Sequence, residues 1–481
     1  MSLSNSAARS SAQRTVAILG GGLSGAAVAW HLARSNAGGA LKIVVVEPRD
    51  ELGAGLAYGT ADPAHRLNVP QSKMALDPDD PEDFQRWLAS PAAPALAAGS
   101  QLADGRVFAQ REAFGAYVAA RLAPQLAAHR ISHIRARAVS AQRTGQTHRI
   151  GLDDGSSLEA DILVLALSHP APALPAEYAA IGQDPRLVAD AFAPDALDAV
   201  EPSARVLVLG SGLTAADVVA SLHARRHSGP ILLSSRHGRL SQGHGPTQAE
   251  TAADYSADPC RTALGLLRRV RRDLAADAAR GLTWHALFDR LRAQGPIIWA
   301  ALPLAERRRF LRHLRGLWDV HRFRIAPQTA TVLAQLTASG QLSQLAGRAL
   351  SVTRKPDAIE ITLQRRHGRD AVTLSVDHVV LATGPAHARV TETNPLLRQM
   401  ASAGTIRADA LRLGLATAAT GEAIGPDGQP DPTVFVAGPL ARGTIGELMG
   451  VPEVTGWAKT LATRIARTLS PLATASGEKV A

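Results

Sequence analysis

With 481 residues and 46% apolar content, the chain is too long for one ordinary domain and can fill two or three cores. Its net charge of +10 comes from 52 Lys and Arg against 42 Asp and Glu, and aromatics make up only 4%, too few for a base-stacking surface, so no nucleic acid partner is expected. A single cysteine, Cys260, excludes an internal disulfide and a C-x-x-C redox pair and fits a reducing compartment.

Residues 1–14 carry Ser, Ala and Arg without an apolar centre and read as a disordered tail rather than a signal peptide. No run reaches about 18 apolar residues, so no membrane span is expected and the cytoplasm is the expected location. Val16 to Leu19 predicts a strand, and Gly20-Gly21-Gly22-Leu23-Ser24-Gly25 follows as G-x-G-x-x-G. A helix pattern through Arg34 and a second strand, Ile43 to Val46, lead to Glu47, 22 residues past Gly25. Strand, glycine turn, helix, strand and acid, in that order, make a dinucleotide-binding unit. Gly20 permits the turn, Gly22 lets a pyrophosphate approach the backbone, and Gly25 lets helix pack on strand. The helix N-terminus offers unpaired N–H groups to phosphate, and Glu47 suits ribose hydroxyls. Arg49, just beyond, joins this candidate cofactor set.

The glycine-rich stretch 48–59 predicts a loop along the same cofactor, followed by polar, proline-bounded Asp62 to Pro70, with His65, Arg66 and Asn68. Helices are expected around Phe84 to Leu88 and from Phe114 to Leu126. A small antiparallel sheet is expected over about Ile134 to Leu158, and a buried strand from Ile162 to Leu167. A second unit begins at Arg205: strand Val206 to Leu209, turn Gly210-Ser211-Gly212-Leu213-Thr214-Ala215, helix, and strand Ile231 to Ser234 ending in Ser235-Arg236-His237. No acid stands at that strand's tip. A carboxylate there would repel a 2′-phosphate whereas Arg236 would bind it, which favours NADPH. About Thr262 to Leu345 is helical, with Trp284, Trp299 and Trp318, and its arginine runs read as solvated faces, with an anionic partner as the second reading. Strands return from Ala349 to Val376. Val379 to Leu381 then runs into Ala382-Thr383-Gly384, and Thr433 to Ala437 into Gly438-Pro439 and a last helix through about Leu469. The histidines are scattered without metal-ligand spacing, so no metal is expected.

Two nucleotide units, an A-T-G strand and a late strand leading to a glycine-started helix resemble the two-dinucleotide-binding-domain flavoproteins. The motifs Gly53-Ala-Gly-Leu-Ala-Tyr58, Asp62-Pro-Ala-His65, Leu67-Asn-Val-Pro70, Asp77-Pro-Asp-Asp-Pro81, Ser235-Arg-His-Gly238 and Gly438-Pro-Leu-Ala-Arg-Gly443 are similar to those of the bacterial FAD–NAD(P)-binding family, itself similar to N-hydroxylating flavin monooxygenases. The resemblance implies an α/β fold of two Rossmann-like domains. Residues 15–200 and 381–481 would form the FAD domain, and 201–380 the NADPH domain with a helical insertion over about 262–345. It implies FAD at Gly20, Gly22, Gly25 and Glu47, and NADPH at Gly210, Gly212, Thr214 and Arg236. Thr383 and Gly384 would make the crossover, while Gly438 and a helix start near Thr444 would face the flavin. Dioxygen and a small substrate, an amino acid or amine, would be the reactants. Asn68 and His65 are the candidate catalytic residues, with Arg66 beside them for an anionic or amino-acid substrate. Two departures stand out: the first crossover reads Ala166-Leu167-Ser168, and Pro439 replaces the usual aspartate. Two other readings stay open, an NADPH-dependent flavin oxidoreductase that does not use oxygen and a non-catalytic FAD-binding redox sensor.

Overall fold

The continuous apolar runs become parallel strands, because a strand covered on both faces has no polar side to present. The structure, a computed structural model, describes residues 13–35, 41–368 and 370–469. Of the expected tail, residues 1–12 lie outside the described residues, whereas Arg14 already opens the first strand and pairs with Asp161.

In chain order the strands are β1 (Arg14–Leu19), β2 (Leu41–Val46), β3 (Ile131–Ile134), β4 (Ala138–Thr144), β5 (Thr147–Leu152), β6 (Ser157–Ala160), β7 (Ile162–Leu165) and β8 (Leu187–Val188). They continue as β9 (Val206–Leu209), β10 (Ile231–Ser235), β11 (Leu342–Arg354), β12 (Ile359–Arg365), β13 (Ala371–Val376), β14 (His378–Leu381), β15 (Glu422–Ile424) and β16 (Pro430–Val436). One sheet runs β15-β16-β7-β1-β2-β3 and is parallel except for β15. The second runs β13-β12-β11-β10-β9-β14-β8, with β8 to β11 parallel and a β11-β12-β13 antiparallel extension. These are two Rossmann-like dinucleotide-binding sheets.

The register positions the site. Leu19 lies level with Val46 and Leu165 in the first sheet, and Leu209 with Ser234 and Leu381 in the second. Each glycine turn therefore leaves its sheet at the same edge as the strand ends beside it, the edge where parallel sheets bind ligands. Helix Leu23–Arg34 packs between the first sheet and helix Val451–Leu469 in one apolar core. Helices Leu213–Ala224 and Pro327–Ala338 cover the second.

Three expectations shift. The small sheet starts at Ala138, because Ile131–Ile134 pairs with β2 and extends the main sheet. The helical stretch gives way at Leu342 to β11, whose residues 342–346 pair in parallel with β10. The chain also enters the second sheet before residue 200, since Leu187 and Val188 pair with β14 and Tyr178 and Ile181 sit in its core. Among the described residues no helix is long and apolar enough to cross a membrane.

Candidate dinucleotide and substrate site

The first turn is closed by its own chain. Gly20 has φ +103°, and a Cβ there would stand 2.5 Å from the Ala166 carbonyl oxygen, so the first crossover lies directly on the turn. At Gly25 a Cβ would come within 1.9 Å of the Gly20 carbonyl oxygen. Helix Leu23–Arg34 starts at Gly22 without a side-chain cap, which leaves its first N–H groups for another acceptor. The loop after Glu47 folds over this turn: the Gly53 N–H donates to the Gly21 carbonyl at 2.8 Å, and the Cα of Gly55 is 3.3 Å from where a Gly22 Cβ would be. Part of that loop, Gly55–Tyr58, is a short helix.

Glu47 is 4% exposed, and its carboxylate is already held. Oε2 accepts from the Gly21 N–H at 2.8 Å, while Oε1 accepts from the Arg49 N–H at 3.2 Å and from Arg49 Nη1 at 3.0 Å. Oε1 has both lone pairs engaged and Oε2 keeps one, so a ribose hydroxyl would meet a carboxylate fixed in place. Gly438 ends the late strand against this unit. A Cβ there would lie 2.2 Å from Ser24 Oγ, in the first turn of the helix. Thr444 departs from expectation. It sits in the four-residue helix Arg442–Ile445, its hydroxyl donates to the Thr417 carbonyl at 3.0 Å, and the long helix begins only at Val451, because Gly446 adopts φ +92° and breaks the chain direction.

The second turn is open. Gly210 has φ +133° and lies under the Ala382 carbonyl, 2.1 Å from a Cβ position, so the A-T-G crossover caps it as Ala166 caps Gly20. Nothing comes within 4 Å of a Gly212 Cβ position, and Gly212 caps helix Leu213–Ala224 with no side chain. Thr214 stands in that helix's first turn, half-buried, while Thr383 is exposed and Gly384 has φ +78°. Ser211 Oγ donates to the Arg239 carbonyl at 2.7 Å and accepts from Ser235 Oγ at 2.8 Å, which fixes the turn carrying Arg236. Arg236 is exposed at the strand tip. Burial and then the nearby charges of Arg366, Arg239 and Arg236 push the pKa of His237 down, so three guanidinium groups gather around this imidazole.

His65 is 5% exposed, and both ring nitrogens are engaged: Nδ1 with Thr60 Oγ1 at 2.7 Å and Nε2 with Ser221 Oγ at 3.1 Å. Burial lowers its pKa. It thus links the 60–70 loop to helix Leu213–Ala224, and neither nitrogen is free to meet a substrate. Arg66 is turned inward to Ser100 Oγ at 2.5 Å and the Ala98 carbonyl at 3.4 Å. Asn68 is different. Its carbonyl accepts from His244 Nε2 at 2.9 Å, and its half-buried side-chain amide has no hydrogen-bond partner among the described residues. The sequence reading missed the brace beside His65, in which Arg111 Nη2 donates to both oxygens of the buried Asp217 at 2.8 and 3.0 Å. The signal was a lone acid among the buried residues of helix Leu213–Ala224.

It also missed a cavity of 170 Å³ between the helical insertion and the segment after Gly438, walled by Phe288, Ile298, Trp299, Leu314 and Trp318 and bearing Arg442 at its polar end. The quoted motif Gly438 to Gly443 contained Arg442 without a role for it.

Residues 17–170 match a family model described as FAD-NAD(P)-binding. No curated protein matches the chain. Among solved structures, ornithine hydroxylase from Pseudomonas aeruginosa, in its reduced form, superposes with TM-score 0.64 at 16% identity over 95% of this chain and 100% of that one. L-lysine 6-monooxygenase from Pseudomonas syringae gives 0.63 at 20% identity with the same coverage. An ornithine N-hydroxylase from Kutzneria sp. 744, solved with reduced FAD, NADP⁺ and L-ornithine, gives 0.62 at 16%, again over 95% and 100%. At these identities the likeness is one of fold, shared along almost the entire chain.

Proposed function

We propose that this chain is an FAD- and NADPH-dependent monooxygenase of a small substrate, with an amino acid or amine as the expected class. The observation that carries the proposal is the pairing of two unlike nucleotide turns: one shut around the fixed carboxylate of Glu47, the other open beside Arg236. The full-length likeness to oxygenases supports the same reading.

The residues fit FAD at the first turn. The uncapped helix N-terminus at Gly22 would receive the pyrophosphate, and Glu47, steadied by Arg49, would receive the ribose. When bound, FAD supplies the hydride and oxygen chemistry. The chain supplies position and enclosure. Gly210, Gly212 and Thr214 would admit the NADPH phosphates, with Arg236 on the 2′-phosphate. Asn68 offers an uncommitted amide to flavin or substrate. His65 acts as a strut between the two units through Thr60 and Ser221, not as a proton carrier. Thr383, Gly384 and Gly438 return the chain past the cofactor cleft. The test is oxygen uptake by the FAD-loaded protein with NADPH. Uptake that depends on an added small substrate supports the proposal, and NADPH oxidation that never consumes oxygen with any of a panel of amines and amino acids refutes it.

A further inference from the structure

We infer that the cavity between the helical insertion and the segment after Gly438 takes a small organic carboxylate with an apolar or aromatic body, held at Arg442. The inference names the substrate class of the reading above and rests on it.

Arg442 is 9% exposed and lines the cavity, yet no carboxylate lies within ion-pair distance of it among the described residues. Its Nη1 donates only to neutral atoms, His387 Nε2 at 3.3 Å and Met449 Sδ at 3.2 Å. The three carboxylates near enough to act on it are engaged elsewhere. Glu447 holds Arg322 at 2.5 Å, and Asp319 holds Arg315 at 3.3 Å. Asp409 accepts from the N–H groups of Leu411, Leu413 and Gly414. Burial draws the Arg442 pKa down to about 10, so the guanidinium still carries its charge at neutral pH. A buried cation without a counter-ion is costly, and a carboxylate on it would gain charge-assisted bonds.

Most of the remaining lining is apolar, Phe288, Ile298, Trp299, Leu314 and Trp318 among it, and its other charged members are already paired, Asp319 with Arg315 and Glu447 with Arg322. The cavity measures 170 Å³. About 150 Å³ is enough for a benzene ring. Its Arg442 wall begins four residues past Gly438, the residue that touches the first turn's helix. With Asp319 and Glu447 committed to Arg315 and Arg322, the unpaired cation and the apolar walls together select an anionic head on an apolar body, and disfavour an unaccompanied amine.

The experiment titrates the FAD-loaded protein calorimetrically with three probes of one body and different heads: 3-phenylpropionate, 3-phenylpropylamine and 3-phenylpropanol. We expect the carboxylate to bind about tenfold tighter than either of the others. The preference should vanish in Arg442→Met, persist in weakened form in Arg442→Lys, and all binding should fail in Leu314→Trp, which fills the cavity. Equal affinities in the wild type, tighter binding of the amine, or carboxylate preference surviving in Arg442→Met would overturn the inference, and the wild-type ranking decides it even if a variant does not fold. The two readings fail separately. Selective carboxylate binding in a protein that never consumes oxygen leaves the cavity assigned and removes the monooxygenase. Oxygen uptake driven by amines in a protein that ignores the carboxylate does the reverse.

Discussion

The turns Gly20 to Gly25 and Gly210 to Ala215 share a plan: a first glycine with positive φ under a crossover carbonyl, then a helix without a side-chain cap. What surrounds them differs. The first is overlaid by Gly53 and Gly55 and backed by a buried, hydrogen-bonded Glu47. The second has open space above Gly212 and a cluster of arginines at its strand tip. Enclosure suits a cofactor that stays, and openness suits a coenzyme that exchanges each turnover. The same motif can thus serve two kinetic roles, decided by the loops laid over it rather than by the glycines.

The largest effect should come from breaking the closed turn. Gly25→Val puts side-chain atoms where a Cβ alone is 1.9 Å from a carbonyl oxygen, so the purified protein should lose its flavin and unfold at markedly lower temperature; a yellow Gly25→Val protein would refute the enclosure. Next is the brace between the units. Arg111→Ala leaves Asp217 buried without its partner, at a cost of about 3–5 kcal/mol in urea unfolding, and adding Asp217→Asn should recover part of it.

The two crossovers meet at His169 and His387, whose ring centroids are 4.8 Å apart. Burial and the charge of Arg442 hold the pKa of His387 down at about 2, while the unfolded imidazole titrates near its ordinary value. As pH falls below about 6.5 the unfolded chain therefore gains a proton that the folded chain refuses, so stability present above that pH is lost. Between pH 6.5 and 5 the loss is about 2 kcal/mol for this residue. His387→Gln should reduce the drop in urea midpoint between pH 7 and 5.

Smaller effects sharpen the open turn. Arg236→Ala should cost NADPH about tenfold in kcat/KM with NADH unchanged. An unchanged coenzyme ratio would remove Arg236 from the site. Gly212→Ala, facing open space, should leave the melting temperature unchanged and raise the KM for NADPH and NADH alike.

The parts legible in the sequence were those fixed by local rules. Apolar runs of four residues and glycines at fixed spacing located β1, β2, β9 and β10 and both turns, because strand burial and close backbone approach each demand particular residue types. What depends on distant partners was not legible. His65 looked reactive until Thr60 and Ser221 were seen to occupy both nitrogens. The small sheet was expected to open at about Ile134, but that residue closes a strand paired with β2. Arg442 carried no signal of its own, since its importance lies in having no acid within ion-pair distance among the described residues while it lines a cavity whose helices come more than a hundred residues earlier.

The most direct test of the contrast between the turns is the visible spectrum of the purified protein as NADPH is added without oxygen. The account predicts bound FAD that survives gel filtration and bleaches quickly with NADPH, slowly with NADH. A colourless protein that cannot be reconstituted with FAD, or a flavin that bleaches equally with both coenzymes, would contradict it.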